Sequence, residues 1–155
     1  MMGETVAYTV CGKPTVYQPG IWFNSAKFMD IEYQVYGDIP TRLPEEWQTL
    51  YWEHEDGRRS LRLVYERASG AIRGFNLMGV RFRQVVCEKW IAENASVEEV
   101  LRDLSLANFD PEFYRQYEAA ILQQYNKQSG RDLSLRKKRS WRQVFSFLQQ
   151  PTQTS

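Results

Sequence analysis

The chain has 155 residues and a formal net charge of +1, with 43% hydrophobic and 25% charged residues. That length supports one core with a tail, and the near-neutral charge gives no electrostatic drive toward nucleic acid or an anionic membrane. A single histidine and two isolated cysteines give neither a zinc site nor a disulfide framework, and no apolar run approaches the ~18 residues that a membrane span needs.

No basic leader region follows Met1, and unpaired cysteines make a reducing cytoplasm the default. Aromatic residues reach 14%. That fraction predicts a core or an interface built on large flat side chains.

Residues 3–11, GETVAYTVC, read as a short helix. Val6, Ala7 and Val10 recur at helical spacing, and Gly12 followed by Pro14 is a stop signal. A helix this short is marginal in water unless it packs on something.

Phe28 to Tyr36 alternates, with Ile31, Tyr33 and Val35 on one face and Asp30, Glu32 and Gln34 on a wet one. The prolines of PTRLP, 40–44, make a connector. A second strand is expected over Trp47–Glu53, with Leu50 and Trp52 opposite Trp47, Thr49 and Tyr51. Asp56-Gly57 signals a hairpin. A third strand spans Arg59–Arg67 with Leu61, Leu63 and Tyr65 in register. The fourth, Ala71–Met78, carries Phe75 and Leu77, and Gly74 inside it suggests a bulge or a close backbone approach.

The period changes after Val80. Phe82, Val86 and Trp90 fit a helical face over 80–94. Ser96-Val97-Glu98-Glu99 is a capping box. Asp110-Pro111 starts a further helix whose face is Phe113, Tyr117, Ile121 and Tyr125, broken at Ser129-Gly130. A basic run, RKKR, leads into a last helix capped by Ser140. The expectation is an α+β fold: an antiparallel β-meander of about four to five strands with C-terminal helices packed on one face.

Chemical motifs are sparse. There is no G-x-G-x-x-G, P-loop, H-E-x-x-H or G-x-S-x-G. His54, among Glu53, Glu55 and Asp56, reads as a strand-end residue beside a turn before it reads as a general base. Asp30 and Glu32 read as a solvated strand face before a carboxylate pair. RKKR reads as a solvated linker before a phosphate site, and Cys87 as a small buried hydrophobe before a redox thiol.

One pattern goes further. Asp30-x-x-x-Gln34-x-x-Gly37, preceded by an aromatic–Ser segment, resembles the start of the C-terminal domain of FAD-dependent pyridine nucleotide-disulfide oxidoreductases. The likeness is to the ferredoxin reductase and NADH oxidase branches. DGRRSLRLVYERASGAIRGFNLMG looks like that domain's central hairpin, and ASVEEVLRDLSL like its short helix. MGETVAYTVCGKPTVY is similar to the segment where the FAD-domain helix runs out. The His-Pro…Glu signature of the glutathione reductase branch is absent.

The resemblance covers residues 2–110 and implies three parts. Residues 1–18 would be a remnant of the FAD-domain helix and crossover. Residues 19–128 would be the C-terminal interface domain, and 129–155 a basic linker and helix. It implies FAD and NAD(P)H as cofactors of the intact enzyme, none for this chain alone, and no catalytic residues here. The flavin-side candidates are Trp22, Phe23, Asn24 and Ser25. Partners would be the FAD- and NAD-binding domains and a second copy in a homodimer, with no nucleic acid and no membrane. The alternative is a standalone protein- or ligand-binding module.

Overall fold

The computed structural model describes residues 2–16, 20–109 and 115–136. Alternating apolar positions build five strands: β1 (Phe23–Phe28), β2 (Ile31–Gly37), β3 (Trp47–Glu53), β4 (Ser60–Glu66) and β5 (Ile72–Met78). They form one antiparallel sheet in the order β1-β2-β5-β4-β3. Thus β3, β4 and β5 make a meander, and the β1–β2 hairpin joins it at β5. The helices are α1 (Met2–Val10), α2 (Gln84–Ala92), α3 (Val97–Arg102) and α4 (Glu118–Ser129), with a 3-10 turn at Leu104–Leu106. The expected α+β architecture is the one observed.

The register decides which side chains face the core. Tyr36, Phe75, Leu63 and Leu50 lie in one row across the sheet, and Gln34, Leu77, Leu61 and Trp52 in the next. All eight are buried. Helix α2 packs on β2 and β5, and α4 on β3. Phe75 stacks with Trp90 of α2, and Tyr36 meets Phe75 edge-on at 6.4 Å. The Tyr36 hydroxyl donates to the Phe82 carbonyl at 3.1 Å, which satisfies a polar group inside the core. Burial holds that phenol far above its ordinary pKa.

Local chemistry sets the ends of the elements. Ser96 accepts from the Glu99 amide while the Glu99 carboxylate takes the Ser96 amide, so the predicted capping box starts α3. Gly130, in the left-handed region at φ 68°, ends α4. At Gly74 a Cβ would lie 2.7 Å from the Tyr36 carbonyl oxygen, so only glycine lets the strands close there. A bulge sits beside it at Val64/Tyr65.

Four expectations need correction. The segment Phe28–Tyr36 is not one strand but the tip of the β1–β2 hairpin, turning at Met29-Asp30. Met29 takes φ 52° there. Asp30 therefore lies in the turn and does not share a strand face with Glu32. Second, the Gln34 face is not wet. It is the side turned to the helices, because the Gln34 side-chain oxygen accepts from the Phe82 amide at 2.9 Å and stands in for a missing backbone partner. Third, Val80–Phe82 precedes α2 in extended form, tied to Asn108 through a bridge. Fourth, α4 begins at Glu118, and residues 115–117 before it are not helical. Asp110, Pro111, Phe113 and the helix expected after Ser140 lie outside the described residues.

Candidate functional site

The second face of the sheet is partly open: Val35, Ser60 and Val64 on it are buried, while Tyr33 and Tyr51 meet solvent. Its rows are Val35, Asn76, Arg62 and Tyr51, and Tyr33, Met78, Ser60 and Glu53. Tyr33 is 37% and Tyr51 48% exposed. At the end of this face, where β2 runs out, lies a cavity of about 720 Å³. Trp22, Val35 and Trp47 line it, with Ile39 and Ile91 behind. Its size falls in the ~300–1,000 Å³ range of small-molecule sites.

Glycine shapes this end. Gly37 has φ 68°, and a Cβ there would meet the Arg73 carbonyl oxygen at 2.3 Å and Ile91 Cδ1 at 2.9 Å. The Gly37 amide donates to the Trp22 carbonyl at 2.8 Å and the Asp38 amide to the Arg73 carbonyl at 2.8 Å. These bonds hold Trp22 against the end of β2 while its indole stays 65% exposed.

The charges at the rim are mostly committed. Arg73 Nε donates to Glu66 Oε1 at 3.1 Å and Nη1 to the Asn94 side-chain oxygen at 3.0 Å. The Ser69 hydroxyl donates to Glu66 at 2.7 Å. That hydroxyl first, and then Arg73, hold the Glu66 carboxyl below its ordinary pKa. A recess with two indoles, whose Arg73 is paired with Glu66 while the Asp38 carboxylate has no ion pair among the described residues, offers flat surfaces for stacking a ring. Its described lining holds no cysteine, histidine or hydroxyl nucleophile.

The four flavin-side candidates separate in the fold. Trp22 lines the cavity. Phe23 turns to the opposite face and stacks on Tyr36 at 4.9 Å, joining the core. Asn24 and Ser25 are exposed on β1, an edge strand. The fold instead brings in Val35, Trp47 and Ile91, whose share in one recess depends on pairings distant in sequence.

The other candidates take structural places. His54 Nδ1 accepts from the Asp56 amide at 3.2 Å, and its ring lies edge-on to Trp52 and Tyr117. Cys87 is buried in α2, and that burial pushes its thiol well up. Among the described residues no group of three or more histidine, cysteine or acidic side chains is placed to hold a metal, and no helix is long and apolar enough to cross a membrane.

Helix α1 is the other exposed apolar element. Every residue from Gly3 to Val16 except Thr5 is exposed, Val10 to 80%. The backbone amides of Cys11, Gly12 and Lys13, just past its end, all donate back into the helix. The chain matches no protein-family model and no curated protein sequence.

Proposed function

We propose that this chain is the C-terminal interface domain of an FAD-dependent NAD(P)H oxidoreductase of the pyridine nucleotide-disulfide family, not catalytic on its own. The observation that carries the reading is the exposed Trp22 indole beside an aromatic recess, at the end of a sheet face on which Tyr33 and Tyr51 are exposed. Apolar surface of this kind marks a docking site. The exposed apolar positions of α1 support the same reading, since a short helix gains stability by packing.

The recess fits a flat ring and not a dinucleotide. Arg73 is committed to Glu66 and Asn94, so the cavity offers no spare guanidinium for a pyrophosphate. FAD and NAD(P)H would be held by the partner domains, where the flavin takes hydride from the nicotinamide. Trp22 would close one wall of the ring's pocket and exclude water. A homodimer and a cytoplasmic setting belong to the same proposal. The free thiols Cys11, exposed, and Cys87, buried, fit a reducing compartment.

The test is a titration of the ¹⁵N-labelled chain with FAD at millimolar concentrations. Weak, saturable shifts should gather at Trp22, Gly37, Asp38 and Arg73, and Trp22→Ala should abolish them. Shifts scattered elsewhere, or no shifts, would contradict the reading. A stoichiometric flavin spectrum in the purified chain would contradict it too. The second reading, a standalone binding module, is favoured by a core that closes without α1.

A further inference from the structure

A second cavity, of about 460 Å³, lies away from the Trp22 recess, beside the turn of the β1–β2 hairpin. Its base is the Gly79–Arg81 connection. The Gly79 amide donates to the Glu32 carbonyl at 2.7 Å. Gly79 has φ 62°, and a Cβ there would meet the Arg58 carbonyl oxygen at 2.3 Å, so the β3–β4 turn closes directly against it. Lys27 comes from β1, Arg59 from the end of that turn, and Arg115 and Tyr117 from the segment before α4. These residues lie far apart in sequence and meet only in the fold.

The lining has a surplus of donors. Four cations, Lys27, Arg59, Arg81 and Arg115, stand against two carboxylates, Asp30 and Glu32. Arg59 pairs with Asp56, and Arg81 lies 3.2 Å from Glu32. Lys27 and Arg115 have no ion pair among the described residues. Two buried donors also make no hydrogen bond among the described residues. Among the described residues the Tyr117 hydroxyl has no hydrogen-bond partner, and Arg81 Nε lies near the Glu32 carboxylate without the alignment of a hydrogen bond. The Arg59 guanidinium lies 5.9 Å from the Tyr117 ring centre. Asn108, which also lines the cavity, donates its amide to the buried Glu118 and so occupies that carboxylate.

Buried donors without acceptors ask for an acceptor, and unpaired cations around them ask for a negative one. We propose that this cavity binds the phosphoryl group of a small soluble molecule, with Lys27 and Arg115 supplying charge and the Tyr117 hydroxyl donating to a phosphoryl oxygen. The site is separate from the Trp22 recess and does not rest on the flavin reading.

The probe is inorganic pyrophosphate, titrated calorimetrically into the full chain at low ionic strength. Saturable one-site binding is expected. Lys27→Ala and Arg115→Ala, both at exposed positions, should each weaken it about tenfold, the loss of one charge-assisted contact. Tyr117→Phe keeps the ring and should weaken it less. Lys13→Ala, far along the chain on an exposed segment, should leave it unchanged. Absence of saturable binding, or binding that survives the Lys27→Ala/Arg115→Ala double variant, would overturn the proposal. So would equal weakening by Lys13→Ala, which would mark general charge attraction. Phosphatidic acid vesicles should not displace pyrophosphate, and displacement would overturn the assignment to a soluble ligand. Circular dichroism of each variant checks that the fold is intact.

Discussion

The two faces of the sheet are built from the same five strands and end in opposite states. On one, Tyr36, Phe75, Leu63 and Leu50 are sealed under helices α2, α3 and α4. On the other, Val35 and Val64 are buried but Tyr33 and Tyr51 meet solvent, and Trp22 is exposed beyond the start of β1. The sealed face is enough to fix the fold, because sheet and helices share one continuous core. The second face also carries aromatics, Tyr33 and Tyr51, that remain partly exposed. Side chains retained without a packing role inside the chain are the natural place to look for contact with something outside it.

Substitution should separate the faces most strongly at the core. Phe75→Ala, in the sealed row, should cost about 3–5 kcal/mol in urea unfolding. Tyr33→Ala, on the open face, should cost less than about 1 kcal/mol. Comparable losses at the two positions would mean that the open face is packed within the chain.

Gly37→Ala tests the hinge between the faces. The new Cβ would strike the Arg73 carbonyl, and the residue would be held at positive φ, so stability should fall by more than about 1 kcal/mol. The cavity beside Trp22 should distort with it, visible as a change in tryptophan fluorescence.

Alkaline pH sharpens the contrast through the buried thiol. Burial raises the Cys87 pKa, with Glu88 adding to it. The unfolded thiol loses its proton near pH 8.5, roughly its free value, while the folded one keeps it. Stability is therefore full below that pH and falls above it, by up to about 1.4 kcal/mol per pH unit, until the folded thiol also ionises. Tyr36, raised mainly by burial, adds a second loss starting near pH 10, about where a free phenol ionises. Thermal melts from pH 7 to 10 should show the decline, and Cys87→Ala should flatten its first part.

A smaller effect belongs to the helix layer. Ser96→Ala removes the side-chain half of the capping box, the acceptor for the Glu99 amide, and should cost about 1 kcal/mol, read from urea unfolding. The smallest is Trp22→Ala, expected within about 0.5 kcal/mol of the parent because the indole is mostly in solvent.

The sealed face was largely legible in the sequence. Leu61, Leu63, Tyr65, Phe75 and Leu77 recur at every second position of their strands, and Ser96 with Glu99 announces a helix start. Strand β1 was not legible. FNSAKF is exposed at nearly every position, so it lacks the apolar alternation that marks a half-buried strand. Gln34 misled for a related reason. A polar side chain reads as outward, yet this one is buried by a bond to the Phe82 amide, 48 residues along the chain. Of the flavin-side residues, Trp22 reaches the recess, whereas Phe23 is carried to the other face by the alternation of β1. Neither cavity could be read directly, since both depend on β2 pairing with β5 and not with β3, the next strand in sequence.

Amide hydrogen exchange on the chain alone tests most directly whether the open surfaces lack a partner within it. Residues 3–10 and the outer edge of β1 should exchange with little protection, while β4 and β5 should exchange only on global unfolding. Strong protection of residues 3–10 in a monomer would contradict this account, because α1 would then be held by the chain's own fold.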